Sequence, residues 1–265
     1  MGIFWGWYVT STLWLWFISF AATMLLLSPL ALAEPPRMDT LKINRSEAGL
    51  TAACTLEKLC VEIDTEDLNL KPAGVQPYQD HMSFPLTGLP SLGDESSIQL
   101  WPQLIRFEGG ILAGLQTQVR TMYSGGWASS TTLHLIAFLP GQPPFEVLRV
   151  PQSANAAIRA CFSERDIKQR AEACQDEYGF HASLVLTGKN VAEMPELRYH
   201  SKATSFPGRV SRFKDSLPGR PLRKRDLITV TDTKCSYQRL YRFAAEERRY
   251  VPNVPPPECS DYTEP

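Results

Sequence analysis

The chain has 265 residues, 27 Lys and Arg against 28 Asp and Glu, a formal net charge of -1 and 43% hydrophobic residues. This balance excludes a disordered polyelectrolyte, a polytopic membrane protein and a nucleic-acid-packing protein, which needs a large positive excess. Six cysteines are too few for a disulfide-dense miniature scaffold. We therefore expect an ordinary folded chain with a hydrophobic core and without nucleic acid among its partners.

An apolar segment without charged side chains opens the chain and ends before Glu34. Its last residues, Ala31-Leu32-Ala33, carry small side chains where signal peptidase requires them, so residues 1–33 are predicted to be a signal peptide cleaved after Ala33. The same stretch is long enough, at about 20 residues, to span a bilayer as an uncleaved N-terminal anchor. Either interpretation takes the rest of the chain out of the cytoplasm. We expect a periplasmic or secreted protein, or a membrane-anchored one facing the periplasm.

The cysteines agree with export. All six lie after the apolar segment, there is no C-x-x-C pair, and no histidine follows a cysteine at zinc-ligand spacing, so disulfides are favoured over a zinc site. Sequence alone does not fix the pairing of six cysteines. We predict that neighbours pair, as Cys54–Cys60, Cys161–Cys174 and Cys235–Cys259. Each such loop would stabilise the fold by about 2–4 kcal/mol.

Residues 34–95 and residues 96–265 differ in pattern. The first segment is rich in proline, glycine and acidic residues and has little apolar periodicity, which predicts an irregular N-terminal segment. The second is predicted to be a folded domain. Ile98–Phe107 reads as a strand with Pro102 at an edge or bulge. Residues 115–123 alternate with a period of two, the run 131–139 is apolar on both faces, and residues 145–150 form another strand.

Turns and one helix complete the predicted domain. Ser124-Gly125-Gly126 is predicted to be a hairpin turn, because glycine accepts positive φ. A capping-box-like start at Ser163, followed by helix formers, predicts one short helix near 163–173. Two hairpins are expected, one joining 182–186 to 197–204 and one joining 237–243 to 248–251. The predicted fold is mainly β, an antiparallel meander with sandwich-like sheets and one short α-helix, stapled by disulfides.

The sequence contains no catalytic or cofactor-binding motif that we could identify. G-x-S-x-G, H-E-x-x-H and the glycine-rich phosphate loops are all missing. His134 lies in an apolar run and is expected to be packed and hydrogen-bonded, whereas Asp80-His81 is a local candidate for acid–base chemistry. We predict no catalytic residue, no cofactor and no metal ligand. The alternative is a periplasmic hydrolase whose acidic and histidine residues meet only in three dimensions.

Positive charge is concentrated late in the chain, with 13 basic against 5 acidic residues in 201–249. Seven of the cations lie in a loop interrupted by proline and glycine: Arg209, Arg212, Lys214, Arg220, Arg223, Lys224 and Arg225. Arginine suits bidentate contact with carboxylate or phosphate, so this loop is predicted to meet an anionic envelope component: a lipid headgroup, a glycan or an acidic protein. The alternative is a solvated loop that only keeps the protein soluble. Any other membrane contact would come through an uncleaved N-terminus.

Two stretches, TMYSGGWASSTTLHL and CSYQRLYRFAAEERRYVPNVPPPECSDY, resemble uncharacterised exported proteins of Gram-negative bacteria. The resemblance runs from about Gly110 to the end of the chain. It implies a periplasmic setting and carries no known activity. The leading functional hypothesis is therefore a non-enzymatic envelope protein that binds, or is scaffolded by, another envelope component.

Overall fold

Antiparallel strands dominate the structure, a computed structural model that describes residues 35–47, 50–64, 69–73, 83–86, 96–188, 194–212 and 219–265. The predicted signal peptide, Asp80-His81 and Lys214 lie outside these ranges. The strands are β1 (Arg37–Thr40), β2 (Lys42–Glu47), β3 (Leu50–Cys54), β4 (Cys60–Asp64), β5 (Asn69–Ala73), β6 (Phe84–Pro85), β7 (Ser96–Phe107), β8 (Gly110–Tyr123), β9 (Gly126–Phe138), β10 (Phe145–Arg159), β11 (Gln175–Leu186), β12 (Leu197–Phe206), β13 (Val230–Asp232), β14 (Gln238–Ala244) and β15 (Arg249–Pro252). The helices are α1 (Glu164–Gln169) and α2 (Ser260–Thr263).

The strands assemble into two sheets. Among the described residues, ten strands form one sheet in the order β1-β7-β8-β9-β10-β11-β12-β14-β15, with β13 beside β12, and β2 to β6 form a second sheet of five. From β7 to β12 every strand pairs antiparallel with the next one in the chain. The predicted mainly-β fold with an antiparallel meander is therefore confirmed.

The second sheet packs on one face of the meander, which gives the sandwich-like arrangement that the sequence predicted. Leu70 of β5 and Leu86 share a fully buried cluster with Leu104 of β7 and Phe138 of β9. Alternate residues of a strand point to opposite faces. Leu135 of β9 accordingly belongs to a second cluster on the other face, which also takes residues from β10, β11, β12, β14 and β15.

A tight contact between β7 and β8 fixes the centre of the large sheet. A Cβ at Gly114 would lie 2.6 Å from Cβ of Trp101, so only glycine leaves room for this buried indole. The register between β7 and β8 shifts between Leu100 and Leu104, which places Pro102 at the predicted bulge. The bulge frees the Pro102 carbonyl oxygen, which accepts a hydrogen bond from the Leu41 backbone N–H at 2.9 Å.

The prediction of an irregular segment at 34–95 was wrong for the part that the structure describes. These residues form β1 to β6, and β1 pairs with β7, so the segment belongs to the same compact unit, Glu34–Pro265, as the rest. The strands have only two to six residues, too short for a periodic signal. Pro72 lies opposite Val61 of β4, and on its other side the described pairing with β6 stops at Asn69 and Leu70, so the proline occupies a stretch of β5 paired on one side.

Several strands are longer than predicted. β10 continues past Val150 to Arg159 because the register with β9 shifts between Pro151 and Ser153, and this bulge accommodates the proline. β11 starts at Gln175, ahead of the predicted start at residue 182. Both predicted hairpins are present, although the turn of the second occupies residues 245–248.

The predicted helix is shorter than expected. Ser163 caps α1 as predicted, since its hydroxyl oxygen accepts a hydrogen bond from the Asp166 N–H at 3.2 Å. The helix ends at Gln169, and Ala171 and Glu172 take left-handed backbone angles, with φ of 48° and 69°. This reversal returns the chain to β11 beside the end of β10. The four-residue helix α2 has no counterpart in the sequence prediction.

All three predicted disulfides are present: Cys54–Cys60, Cys161–Cys174 and Cys235–Cys259, and no cysteine is free. The first joins directly opposite residues of β3 and β4, the second brackets α1, and the third ties the N-terminal cap of α2 to the segment before β14. Three formed disulfides indicate an oxidising, extracytoplasmic setting. Across the described ranges, no helix is both long and apolar enough to cross a bilayer.

Candidate functional site

Several of the basic residues late in the chain lie near one carboxylate, that of Asp226. Arg220, Arg223, Lys224 and Arg225 are exposed in the segment that includes a 3-10 turn at Lys224–Asp226, and exposed Arg209 comes within 4.0 Å of Asp226 Oδ2. We call these five cations the basic cluster. In the described part of this segment they outnumber the one acid, Asp226, so the basic cluster presents a net positive charge toward solvent.

The electrostatics of Asp226 show how close the cations are. A hydrogen bond donated by the Arg223 backbone N–H at 2.9 Å lowers the pKa of Asp226, burial opposes this shift, and the charges of Arg209, Arg225 and Arg220 lower the pKa further. Gly208 N–H also donates to the Asp226 carbonyl oxygen at 3.0 Å. Asp226 thus anchors the turn that presents the cluster.

The cluster is fastened to α1. The Leu222 N–H donates to the carbonyl oxygen of Gln169 at 2.8 Å, and Gln169 Nε2 donates to the Gly219 carbonyl oxygen at 3.4 Å. α1 contributes two further exposed cations, Arg165 and Lys168, to this end of the molecule. The part of the predicted loop from Gly219 to Leu222 is therefore held in place against a helix that a disulfide brackets.

Arg212 does not belong to the contact surface that the sequence predicted. Its Nη1 donates to the carbonyl oxygens of Asp261 and Glu264, and its guanidinium lies 5.9 Å from the centre of the Tyr178 ring. Arg212 is half-buried in this arrangement and ties the C-terminal segment to the sheet. The sequence prediction grouped Arg212 with the other cations because they are close along the chain. Proximity along the chain does not determine which side of the sheet a residue occupies.

A groove that the sequence did not reveal crosses the open face of β9 to β12 beside the cluster. Trp127, Ala157, Glu177 and Phe206 lie directly opposite one another across these four strands, so their side chains project from the same face. The tryptophan and the phenylalanine stand at the two ends and the small alanine lies between them. They enclose a depression of about 410 Å³.

The adjacent cross-strand row supplies polar groups to the same depression. Asn155, Gly179 and Thr204 lie opposite one another, and a Cβ at Gly179 would come within 3.0 Å of Thr204 Oγ1 and 3.8 Å of Asn155 Oδ1. Because Gly179 has no side chain, the Thr204 hydroxyl and the Asn155 amide lie close to its backbone at the floor of the depression. Gln175 and Glu177 extend the polar wall.

These polar groups are uncommitted. Within the described ranges, Asn155, Gln175, Glu177 and Thr204 make no side-chain hydrogen bond or ion pair. Trp127 is 45% exposed although indole is usually buried or interfacial. An exposed indole surrounded by unused amide, carboxylate and hydroxyl groups is the composition of a ligand site.

The groove continues past Trp127 toward α1. A second cavity, of about 530 Å³, shares Trp127, Ala157 and Gln175 with the first and is also lined by Met122, Arg159 and Ile167. We call the two cavities together the outer groove. Its end at Phe206 is also lined by Thr229, three residues beyond Asp226, so the outer groove and the basic cluster adjoin.

His134 meets a carboxylate and a hydroxyl inside the sheet, as the hydrolase alternative requires. Its Nδ1 lies 2.9 Å from Glu146 Oε1 and its Nε2 lies 2.9 Å from Thr117 Oγ1. An ionised carboxylate only accepts, so Nδ1 carries a proton and donates to Glu146, while Nε2 pairs with the Thr117 hydroxyl, which can donate or accept. Arg149 donates to both oxygens of Glu146, at 2.9 and 2.7 Å.

This arrangement resembles a nucleophile–base–acid set, but it is enclosed. His134 is 0% exposed and Thr117 8%, and of the three residues Glu146 alone lines one of the cavities found among the described residues, a depression of about 440 Å³ that it shares with Arg149 and Tyr250. Thr117, His134 and Glu146 belong to β8, β9 and β10, so the chain of hydrogen bonds joins three consecutive strands. The expectation of a packed, hydrogen-bonded His134 is confirmed.

Nothing in the described part of the chain groups three or more His, Cys, Asp or Glu side chains as a metal site would. No family model, no curated protein and no solved structure matches this chain. The resemblance to exported proteins of Gram-negative bacteria therefore stays a prediction, and the fold and sites described above rest on this chain's own residues.

Proposed function

We propose that this chain is a non-enzymatic binding protein of the bacterial envelope and that its basic cluster contacts an anionic envelope component. The observation that carries the proposal is the grouping of five exposed cations, Arg209, Arg220, Arg223, Lys224 and Arg225, on and beside the turn that holds Asp226, with the charges of Arg209, Arg220 and Arg225 acting on its carboxylate. Guanidinium groups with free donors bind carboxylate or phosphate in a planar, bidentate manner.

The setting of the protein supports the proposal. Disulfides place the folded part outside the cytoplasm, and the predicted signal peptide and the resemblance favour the periplasm. The anchoring of the cluster to α1, next to the Cys161–Cys174 disulfide, supports a role beyond solubility. A loop that serves only solubility does not need to be held in one geometry.

Replacing Arg223, Lys224 and Arg225 together with alanine tests this function. We expect the affinity for an anionic probe, phosphatidylglycerol vesicles or polygalacturonate, to fall at least ~10-fold, since each cation near an anionic surface contributes about 1 kcal/mol. Binding of the unaltered protein should weaken as salt rises through the physiological range, where the Debye length is about 8 Å. Cosedimentation at several salt concentrations measures both effects.

The control removes three lysines from the second sheet and its turn, as Lys42→Ala, Lys58→Ala and Lys71→Ala. It changes the net charge by the same amount and leaves the basic cluster intact. An equal loss of affinity in this control, or binding that does not depend on salt, would refute the proposed contact surface and leave the loop as a solubility feature.

A periplasmic hydrolase is the second candidate, favoured by the Thr117–His134–Glu146 geometry alone. Such an enzyme would need the Thr117 hydroxyl to reach a substrate, which its burial opposes. A panel of chromogenic esters and amides, assayed with the unaltered protein and with Thr117→Val, tests it. We expect no turnover; turnover that Thr117→Val abolishes would replace the binding function with a hydrolytic one.

A further inference from the structure

We propose that the outer groove binds a carboxylated polysaccharide, with Trp127 stacking on a sugar ring and the basic cluster holding acidic groups farther along the chain. The inference rests on the proposed function, because it identifies the anionic partner of the basic cluster as an acidic glycan. It adds a site, the groove around Trp127, that the basic residues alone do not imply.

The dimensions of the groove suit an extended chain molecule. From Trp127 on β9 to Phe206 on β12 it crosses three inter-strand spacings, about 14 Å. Ala157 and Gly179 keep the floor low between these aromatic ends. The second cavity prolongs the groove toward α1. A ligand lying across the strands would contact all four of them.

The side chains of the groove match the two surfaces of a sugar. The apolar C–H face of a pyranose ring packs against a flat aromatic ring, and Trp127 offers such a ring at 45% exposure. The hydroxyl edge of the sugar needs donors and acceptors side by side. Asn155 and Gln175 each provide both, Thr204 provides a hydroxyl and Glu177 accepts.

The charge distribution selects an acidic sugar chain over a neutral one. Arg159 lines the groove, and Arg120, opposite Ser129 in the β8–β9 pairing, is exposed on the same face. At the Phe206 end the groove adjoins the basic cluster. Glu177 is the one acidic side chain among the residues that line the two cavities. Carboxylates spaced along a polysaccharide would meet cations at both ends.

The same features argue against other occupants. Acyl chains in the groove would leave the polar atoms of Asn155, Gln175 and Glu177 desolvated without partners, which is costly. A peptide added as a strand needs an unpaired sheet edge. Each strand of the groove floor, β9 to β12, is already paired on both sides.

The test measures binding of defined polygalacturonate oligomers to the full chain and its variants by isothermal titration calorimetry at fixed salt. We expect Trp127→Ala to weaken binding at least ~10-fold, because a central aromatic anchor carries much of an interface's free energy. Trp127→Phe should recover most of the affinity, since it keeps a stacking ring. Asn155→Trp, which fills the groove from an exposed position, should abolish binding. Leu56→Ala, at an 88% exposed side chain in the turn between β3 and β4, is the matched control and should bind normally.

The outcomes separate the groove from the basic cluster. Loss of affinity in Trp127→Ala, with normal binding of the Leu56→Ala control and unfolding temperatures within a few degrees, supports the groove. Normal binding by Trp127→Ala and Asn155→Trp, while the Arg223, Lys224 and Arg225 variant binds poorly, overturns the groove and leaves the proposed function standing. Equal affinity for neutral dextran overturns the acidic specificity, and a loss of vesicle binding in Trp127→Ala assigns the groove to a lipid surface instead. If no variant alters any binding, both proposals fail.

Discussion

At the scale of single residues, Glu146 shows how a buried hydrogen-bond network sets the chemistry of one group. Partial burial by itself would raise the pKa of this carboxyl, but the hydrogen bonds from His134 and Arg149, together with the electrostatic effects of both groups, outweigh it and lower the pKa to about 2. The group is therefore ionised through the whole range in which the protein is expected to work. Its hydrogen bond with His134 joins β10 to β9, and its ion pair with Arg149 lies within β10.

The depressed pKa predicts a loss of stability in acid. A carboxyl whose pKa is lower in the folded state stabilises the fold above its unfolded pKa, near 4.3, and that contribution disappears as the pH falls toward 2. We expect the free energy of unfolding to drop by on the order of 2–3 kcal/mol over this range in the unaltered protein. In Glu146→Gln the free energy of unfolding should fall less between pH 4 and pH 2, and it should be lower than that of the unaltered protein at neutral pH. Urea titrations between pH 2 and 7 measure this.

Glu108→Gln is the comparison for that experiment, because Glu108 is an exposed carboxylate without a side-chain partner in the ranges that the structure describes. The free energy of unfolding of Glu108→Gln should fall with pH as it does in the unaltered protein. If Glu146→Gln follows the same curve as well, the Thr117–His134–Glu146 network does not stabilise the sheet as described.

At the scale of elements, α1 depends on a buried ion pair more than on its own six residues. A helix this short is unstable in isolation. Arg170, which caps its C-terminal end, is 2% exposed and donates from Nη2 to Asp176 Oδ1 on β11 and from Nε to the Ala173 carbonyl oxygen at 2.8 Å. Together with the Cys161–Cys174 disulfide, this pair fixes the helix to the sheet and so positions the basic cluster.

Breaking the pair on one side should therefore be costly. We expect Arg170→Met to reduce the free energy of unfolding by about 3–5 kcal/mol, since it leaves the Asp176 carboxylate buried without its guanidinium. The double variant Arg170→Met, Asp176→Leu should recover part of that loss, because an apolar pair of similar size needs no desolvation of charge. Equilibrium unfolding in urea gives both values. Equal losses in the single and double variants would show that packing, and not the charge, holds α1.

At the scale of the whole molecule, the two sheets depend on each other. The second sheet covers a face of the meander that carries Leu104, Ile111, Leu115 and Phe138, all fully buried. β1 also completes the edge of the large sheet next to β7. Without residues 34–95, an apolar face and a free strand edge would both meet solvent, which favours aggregation.

We therefore expect residues 96–265 produced alone to be insoluble or to lack a cooperative unfolding transition, whereas residues 34–265 fold. Expression of both chains in an oxidising compartment, followed by thermal unfolding monitored by circular dichroism, tests this. A soluble, cooperatively folding 96–265 fragment would restore the two-part organisation that the sequence predicted and would make the second sheet an accessory.

The sequence by itself determined the mainly-β fold, the meander, the three disulfides and the N-terminal cap of α1, because each depends on neighbours along the chain. Period-two alternation, glycine turns, cysteine spacing and the capping serine at 163 are all local signals. It also indicated that the basic residues late in the chain form a group. Local signals were too weak to predict the short strands β1 to β6. These strands are stabilised by pairing with their neighbours, and their few residues carry no periodic pattern.

Only the tertiary structure decided which residues share a surface. Arg212 lies close in sequence to the basic cluster yet serves the C-terminal segment, while Trp127, Asn155, Glu177 and Thr204 come from four strands and line one groove. His134, Glu146 and Thr117 likewise meet through strand register. The physical reason is that cross-strand contacts depend on register, which is set by bulges and by the packing of both faces. A single-residue shift in pairing would send each of these side chains to the other side of the sheet.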